Sequence, residues 1–239
     1  MPSQREIRRR IGSVGNIKQI TRAMQFVAAS KLRRAQEATL ASRPYSDKLD
    51  EVLADLAAVI DHEAHPLLAE EREGPRLIVL FTSDRGMAGS LNTNTIRYAA
   101  QQISSASEEL QVVTVGRKGT AAMRRAHVPL AASFDGFGDR PAFADILPLA
   151  RLVSDDFLAG TYTKVHLLYP AFVSTLVQRP EMKRLLPVKP NPTAAEGIPG
   201  GQFIFEPGPT KVLEQLMPRY VATRLFQAVL ELTASEQSS

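Results

Sequence analysis

The chain has 239 residues, 44% of them hydrophobic, with a formal net charge of +4, no Cys and no Trp. Lack of Cys excludes disulfides and thiolate metal sites, and any core must be mainly aliphatic. No window approaches the roughly 20 apolar residues of a membrane-spanning helix.

The start, MPSQREIRRRI, carries charge where a secretory signal has an apolar stretch. Its helical pattern runs straight on, which favours a mature start over an Arg-rich transit peptide. Residues 3–43 contain no Pro, and Ile7, Ile11, Val14, Ile17, Ile20, Met24 and Val27 recur in steps of three and four, with Leu32 following. This spacing predicts a helix with one apolar stripe. Gly12, Gly15, Ala23, Ala28 and Ala29 are small enough to let another helix approach closely. Pro44 predicts a bend rather than a stop, because the pattern resumes through Leu49, Val52, Leu53, Leu56, Ala57 and Ile60. A helix to about residue 60 would be roughly 85 Å long. It cannot bury its stripe within its own domain and needs a partner helix.

His65-Pro66 and Gly74-Pro75 mark a linker, and His62-x-x-His65 reads as a solvated turn rather than a metal site. RLIVLFTS (76–83) predicts a buried strand. A Gly-rich turn and a helix to about Ile103 follow. QVVTVG (111–116) is a second strand, with a short helix near 117–126, and PLAASFDGF (129–137) fits an edge strand. Phe143 to Leu158 reads as helix and KVHLLYPAF (164–172) as a further strand, the order of a parallel α/β sheet. Seven prolines between Arg179 and Pro209 predict loop and hairpin, with MKRLLPV and QFIFE as short antiparallel strands. A last helix opens near Thr210, kinked or restarted at Pro218.

Candidate chemistry is thin. SDRGMAGSLNTN (83–94) sits where backbone N–H groups bind phosphate. Its G-x-x-G pattern is neither a dinucleotide fingerprint nor a P-loop. A tight turn is expected, with Gly86 and Gly89 at special backbone angles and Ser90 or Asn92 capping the helix. GRKG (116–119) reads the same way. Asp135, Asp139, Asp145, Asp155 and Asp156 read as solvated carboxylates, with nothing fixing an acid–base pair.

The first 35 residues are different. Arg5, Arg8, Arg9, Arg10, Lys18, Arg22, Lys31, Arg33 and Arg34 stand against Glu6 alone, a net of +8. The rest of the chain is therefore near −4. Such an arm meets something acidic. A DNA-binding helix would want a cleaner zipper, and no aromatics interleave to stack on single strands. A protein or helix partner fits best.

NIKQITRAMQFVAASKLRRAQ (16–36), SRPY (42–45), SDRGMAGSLNTN, EPGPTKVLEQLMPRY and LELTASE, in that order along nearly the whole chain, resemble the gamma subunit of the rotary ATP synthase. The resemblance implies an α/β fold class: a long antiparallel two-helix coiled coil beside a Rossmann-like α/β domain with a mostly parallel sheet. Residues 1–60 would be one shaft helix, 75–178 the α/β domain, 179–208 a Pro-rich completion of it, and 209–239 the second, shortened shaft helix. It implies a non-catalytic central rotor inside the ring of alpha and beta subunits, its foot on the membrane c-ring and the epsilon subunit. ATP, ADP and Mg would sit on those partners, with no cofactor and no nucleic acid on this chain. It would lie at the cytoplasmic face of a bacterial membrane. The implied partner interface is Arg8, Arg9, Lys18, Arg22, Met24, Lys31, Arg33 and Arg34. Ala88 stands where the family usually has Cys. Family members continue for several dozen residues past a segment like TASEQSS, so the short second helix would leave residues 1–30 without a helical partner. The rival reading is a nucleotide-binding α/β protein with a basic arm for nucleic acid.

Overall fold

The computed structural model describes residues 3–60, 65–68, 73–189 and 204–239. His62, Pro190, Pro192, Pro199 and residues 202–203 of QFIFE lie outside these. The other end of that motif, Ile204 and Phe205, joins no strand.

The first element, α1, is a single helix of 56 residues, Gln4–Val59, about 84 Å at 1.5 Å per residue. It opens on a capping box, which apolar periodicity does not reveal. Ser3 Oγ accepts from the Glu6 N–H, and the Glu6 carboxylate accepts from the Ser3 N–H. The helix passes through Pro44 without ending. Its two halves differ. Residues 3–27 are all exposed. From Ala28 onward a seam turns inward: Ala28, Leu32, Ala35, Thr39, Ser42, Ser46, Leu49, Leu53 and Leu56 are buried or half-buried. Their alternating steps of four and three are the heptad spacing of a left-handed coiled coil.

The partner is the last helix of the chain, Pro209–Ser238, which runs through Pro218 unbroken. It lies antiparallel to α1: Arg224 bonds Ser46 and Asp50, while Gln237 and Lys31 meet on one carboxylate. Between the two helices lies the α/β body. It begins with a short 3-10 turn, Pro66–Leu68, whose Leu67 and Leu68 are buried. Then come β1 (Arg76–Phe81), α2 (Leu91–Ser104), β2 (Leu110–Val115), α3 (Arg117–Arg125), β3 (Leu130–Phe134), α4 (Phe143–Leu158), β4 (Lys164–Ser174) and β5 (Val177–Leu186); the last helix is α5.

The sheet order is β3-β2-β1-β4-β5, parallel except for the antiparallel β4–β5 hairpin. The central β1 reads RLIVLF because it is covered on both faces, the rule for parallel strands. On one face Leu77, Val79 and Phe81 pack with Leu49, Leu53 and Leu56 of α1, Ile146 and Leu149 of α4, and Leu225 and Val229 of α5. On the other face Ile78 and Leu80 meet Ala99 of α2 and Met123 of α3. The lower shaft is therefore part of the body's own core. Polar bonds add to this seat: Ser235 Oγ donates to the Pro170 carbonyl, and the Phe172 N–H donates to the Glu231 carboxylate, where β4 loses register with β5. Among the described residues no helix is long and apolar enough to cross a membrane.

Candidate functional site

The exposed half of α1 is the feature that the fold leaves unexplained. Ile11 is 66% and Ile20 60% exposed, and Ile7, Val14, Ile17, Met24, Phe26 and Val27 are also open to solvent. Arg8, Arg9, Lys18 and Arg22 are exposed too, and form no ion pair among the described residues. Arg22 is two positions from both Ile20 and Met24, so it lies across the helix from them. Four arginines in the first two turns, against one Glu, oppose the positive end of the helix dipole. A sequence selected only for a stable helix would reverse that sign. The charge is placed for something outside the chain.

Lower down, the remaining cations expected at an interface have partners of their own. Arg33 pairs with Glu37 one turn on at 2.9 Å. Arg34 donates to Ser30 Oγ at 2.8 Å. Lys31 is half-buried, and its Nζ stands 2.6 Å from Oδ2 of Asp139 in the β3–α4 loop. Asp139 is thus not the solvated carboxylate expected from sequence. Its other oxygen accepts from Gln237 Nε2 of α5 at 3.3 Å and faces Arg85 Nη1 of the β1–α2 loop at 3.5 Å. The Lys31 hydrogen bond holds Asp139 below the ordinary carboxylate range. Burial, reinforced by the charge of Asp139, pushes neighbouring Glu236 up. Above this cluster Met24, Val27, Met87 and the end of α5 line an open groove of about 1010 Å³.

A second tie that the sequence did not advertise lies below. Arg224 of α5 pairs with Asp50, donates to Ser46 Oγ at 2.9 Å, and sits 5.0 Å over the Tyr220 ring.

The Gly-rich turns are closed. Asp84 accepts from the N–H groups of Arg117 and Gly136 at 3.0 and 2.9 Å. Lys118 N–H donates to the Ser83 carbonyl, and Gly119 N–H to Thr82 Oγ1. The donors at the start of α3 that would cradle a phosphate are taken, one of them by a carboxylate of the same sign as phosphate. Asn92 does not cap α2, and Ser90 makes no side-chain cap. Asn92 instead accepts from the Ser83 N–H and donates to Ser83 Oγ. Gly89 has φ 46° as expected, but Met87 at φ 60°, not Gly86, takes the other left-handed position. Asp145 closes the start of α4 by accepting from the Ala142 N–H.

A family model described as ATP synthase matches residues 3–239. The ATP synthase gamma chain of Roseiflexus sp. (strain RS-1) is 46% identical over 245 residues, covering 100% of this chain and 83% of that protein. That of Desulfitobacterium hafniense is 42% identical over 239 residues, covering 100% of this chain and 84% of that one. Among solved structures, a chain of the central stalk and c-ring of Tetrahymena thermophila mitochondrial ATP synthase aligns with a TM-score of 0.69 at 23% identity, over 92% of this chain and 95% of that one. A chain of the Euglena gracilis mitochondrial ATP synthase rotor gives 0.64 at 19% identity, over 98% and 86%. At those identities the structures speak for the fold.

Proposed function

The chain belongs to the ATP synthase gamma-chain family and is a non-catalytic subunit of the rotor, and on that premise we propose how its long helix is used. The exposed half of α1 is the piece of shaft held by the ring of alternating alpha and beta subunits. The α/β body is the foot, resting on the epsilon subunit and the membrane c-ring, peripheral to the membrane at its cytoplasmic face. The working division is shaft 1–60 and 209–239 and foot 75–208. ATP, ADP and Mg are bound by the ring. As the shaft turns, its unequal sides drive the beta subunits through open and closed states.

The observation that supports this reading is the coincidence, on residues 4–27, of an open apolar stripe and cations that form no ion pair among the described residues. A rotor must be held without being trapped. Exposed ion pairs are worth about 0–1 kcal/mol each, so Arg8, Arg9, Lys18 and Arg22 can exchange acidic partners in turn. Met24, which lines the groove, belongs to that surface, and Arg33 and Arg34 continue it downward. Lys31 enters it only by leaving Asp139. Breaking a buried, fully paired charge costs roughly 3–5 kcal/mol and would stall rotation. Reconstitution with alpha and beta subunits tests the proposal. Rotation or shaft-dependent ATPase activity is expected with the wild-type chain. Met24→Lys adds a strong contact and should lower coupling; unchanged coupling would count against it.

A further inference from the structure

We infer that Asp139 is a positioning residue that fixes the point at which α1 leaves the body, acting as the fulcrum of the exposed half of the shaft. Three other pieces of chain converge on its carboxylate. Lys31 comes from α1, Gln237 from the end of α5, and Arg85 from the β1–α2 loop, while Asp139 itself belongs to the β3–α4 loop. The position along α1 makes this convergence matter. Every described residue up to Val27 is exposed, and Lys31 lies one turn below that limit.

Apolar packing alone holds this stretch weakly. Between Ala28 and Ser46 the inward seam is Ala28, Leu32, Ala35, Thr39, Ser42 and Ser46, with one large side chain among six. Below it come Leu49, Leu53 and Leu56, each fully packed. Small side chains remove little area from water, so a charge-assisted bond of 2.6 Å is a large share of what seats this part of the helix. The next polar tie is Arg224 with Asp50 and Ser46, about four turns further down. Losing the Lys31–Asp139 bond should therefore move the fulcrum toward that lower tie. Glu236 and Asp84 line the same cleft as Asp139, and Lys31 and Arg85 are the cations that pair with it among the described residues.

Hydrogen exchange on the whole chain tests this, comparing wild type with Asp139→Asn, Lys31→Met and the double variant. Lys31→Met keeps the aliphatic stem and the helix, so folding is retained even if Asp139→Asn perturbs its loop. Amides of residues 28–38 should exchange about three- to tenfold faster in each single variant. The double variant should exchange no faster than the singles, and residues 46–56 and β1 should keep wild-type rates. Unchanged rates over 28–38, rates in the double that multiply those of the singles, or equal acceleration in 46–56 would each overturn the assignment. The measurement needs no partner subunit, so its failure would leave the ring-held reading of residues 4–27 standing.

Discussion

At Gly116, between β2 and α3, the backbone has φ 96°, and a Cβ built there would stand 1.9 Å from the Thr82 carbonyl oxygen. Thr82 directly follows β1 and its N–H donates to the Val115 carbonyl, so its backbone cannot yield. Gly116→Ala should cost roughly 3–5 kcal/mol, from overpacking and backbone strain together, read as a lowered midpoint in thermal or denaturant unfolding. The GRKG turn was visible in the sequence, but only the strand beside it explains why the first Gly is indispensable. Met87 shows the converse: a left-handed angle at a residue with no local preference for it, which no reading of residue types could find. Tyr169 on β4 gives a pH signature. Burial, with the nearby Glu231 charge, pushes its phenol from 10.0 to about 12. Below pH 10 folded and unfolded chains both hold this proton, and its stabilisation is fully present. As pH rises from 10 through 12 the unfolded chain releases the proton first, and stability falls by about 2–3 kcal/mol. Tyr169→Phe should flatten that alkaline limb. It should not abolish it, because Tyr162 and Tyr220 are shifted in the same direction. An unchanged slope in urea titrations across this window would refute the assignment.

At the scale of elements, α1 is one helix with two energetic regimes, and two substitutions separate them. Leu53 is 1% exposed in the core beneath β1. Leu53→Ala should destabilise the isolated chain by about 2–5 kcal/mol through lost transfer energy and the cavity left behind. Ile11, 66% exposed, should change the same chain by no more than about 0.5 kcal/mol when made Ala. In the reconstituted complex the ranking for assembly should reverse, with Ile11→Ala weakening it more than Leu53→Ala once folding is accounted for. The strands and helices of the body were legible because β1, β2 and β4 are near-continuous apolar runs bounded by Gly and Pro. The seam from Ala35 to Ser46 was not. A search for large apolar residues skips Ala35, Thr39, Ser42 and Ser46, and only the neighbouring helix reveals them as a face. The capping box at Ser3 and Glu6 was legible in principle, since the S-x-x-E spacing stands at the head of the helix.

At the scale of the whole molecule, the chain is a core with a lever. The parallel sheet, α4, α5 and the lower part of α1 share one hydrophobic interior, so the body and the base of the shaft should unfold together. The exposed half of α1 has no such partner among the described residues. A helix face without tertiary packing is held only by its intrinsic propensity, since most helical stability in proteins comes from packing. Its local opening should therefore cost far less than global unfolding. Arg8, Arg9, Arg10, Lys18 and Arg22 place tryptic sites all along it. With the isolated chain, trypsin should cut at these sites at a rate set by local opening rather than by unfolding of the body. Leu53→Ala should leave that rate within about twofold while accelerating cuts in the body. On assembly with alpha and beta subunits the same sites should be protected by about tenfold or more, a factor that corresponds to about 1.4 kcal/mol of added holding energy. Raising salt should erode the part of this protection that rests on exposed charge, since ions screen beyond about 10 Å at 0.1 M. It should leave the part that rests on Ile7, Ile11, Val14 and Ile17. Equal cutting in the free and assembled states would show that the ring does not hold this helix, and would remove the basis for a ring-held shaft.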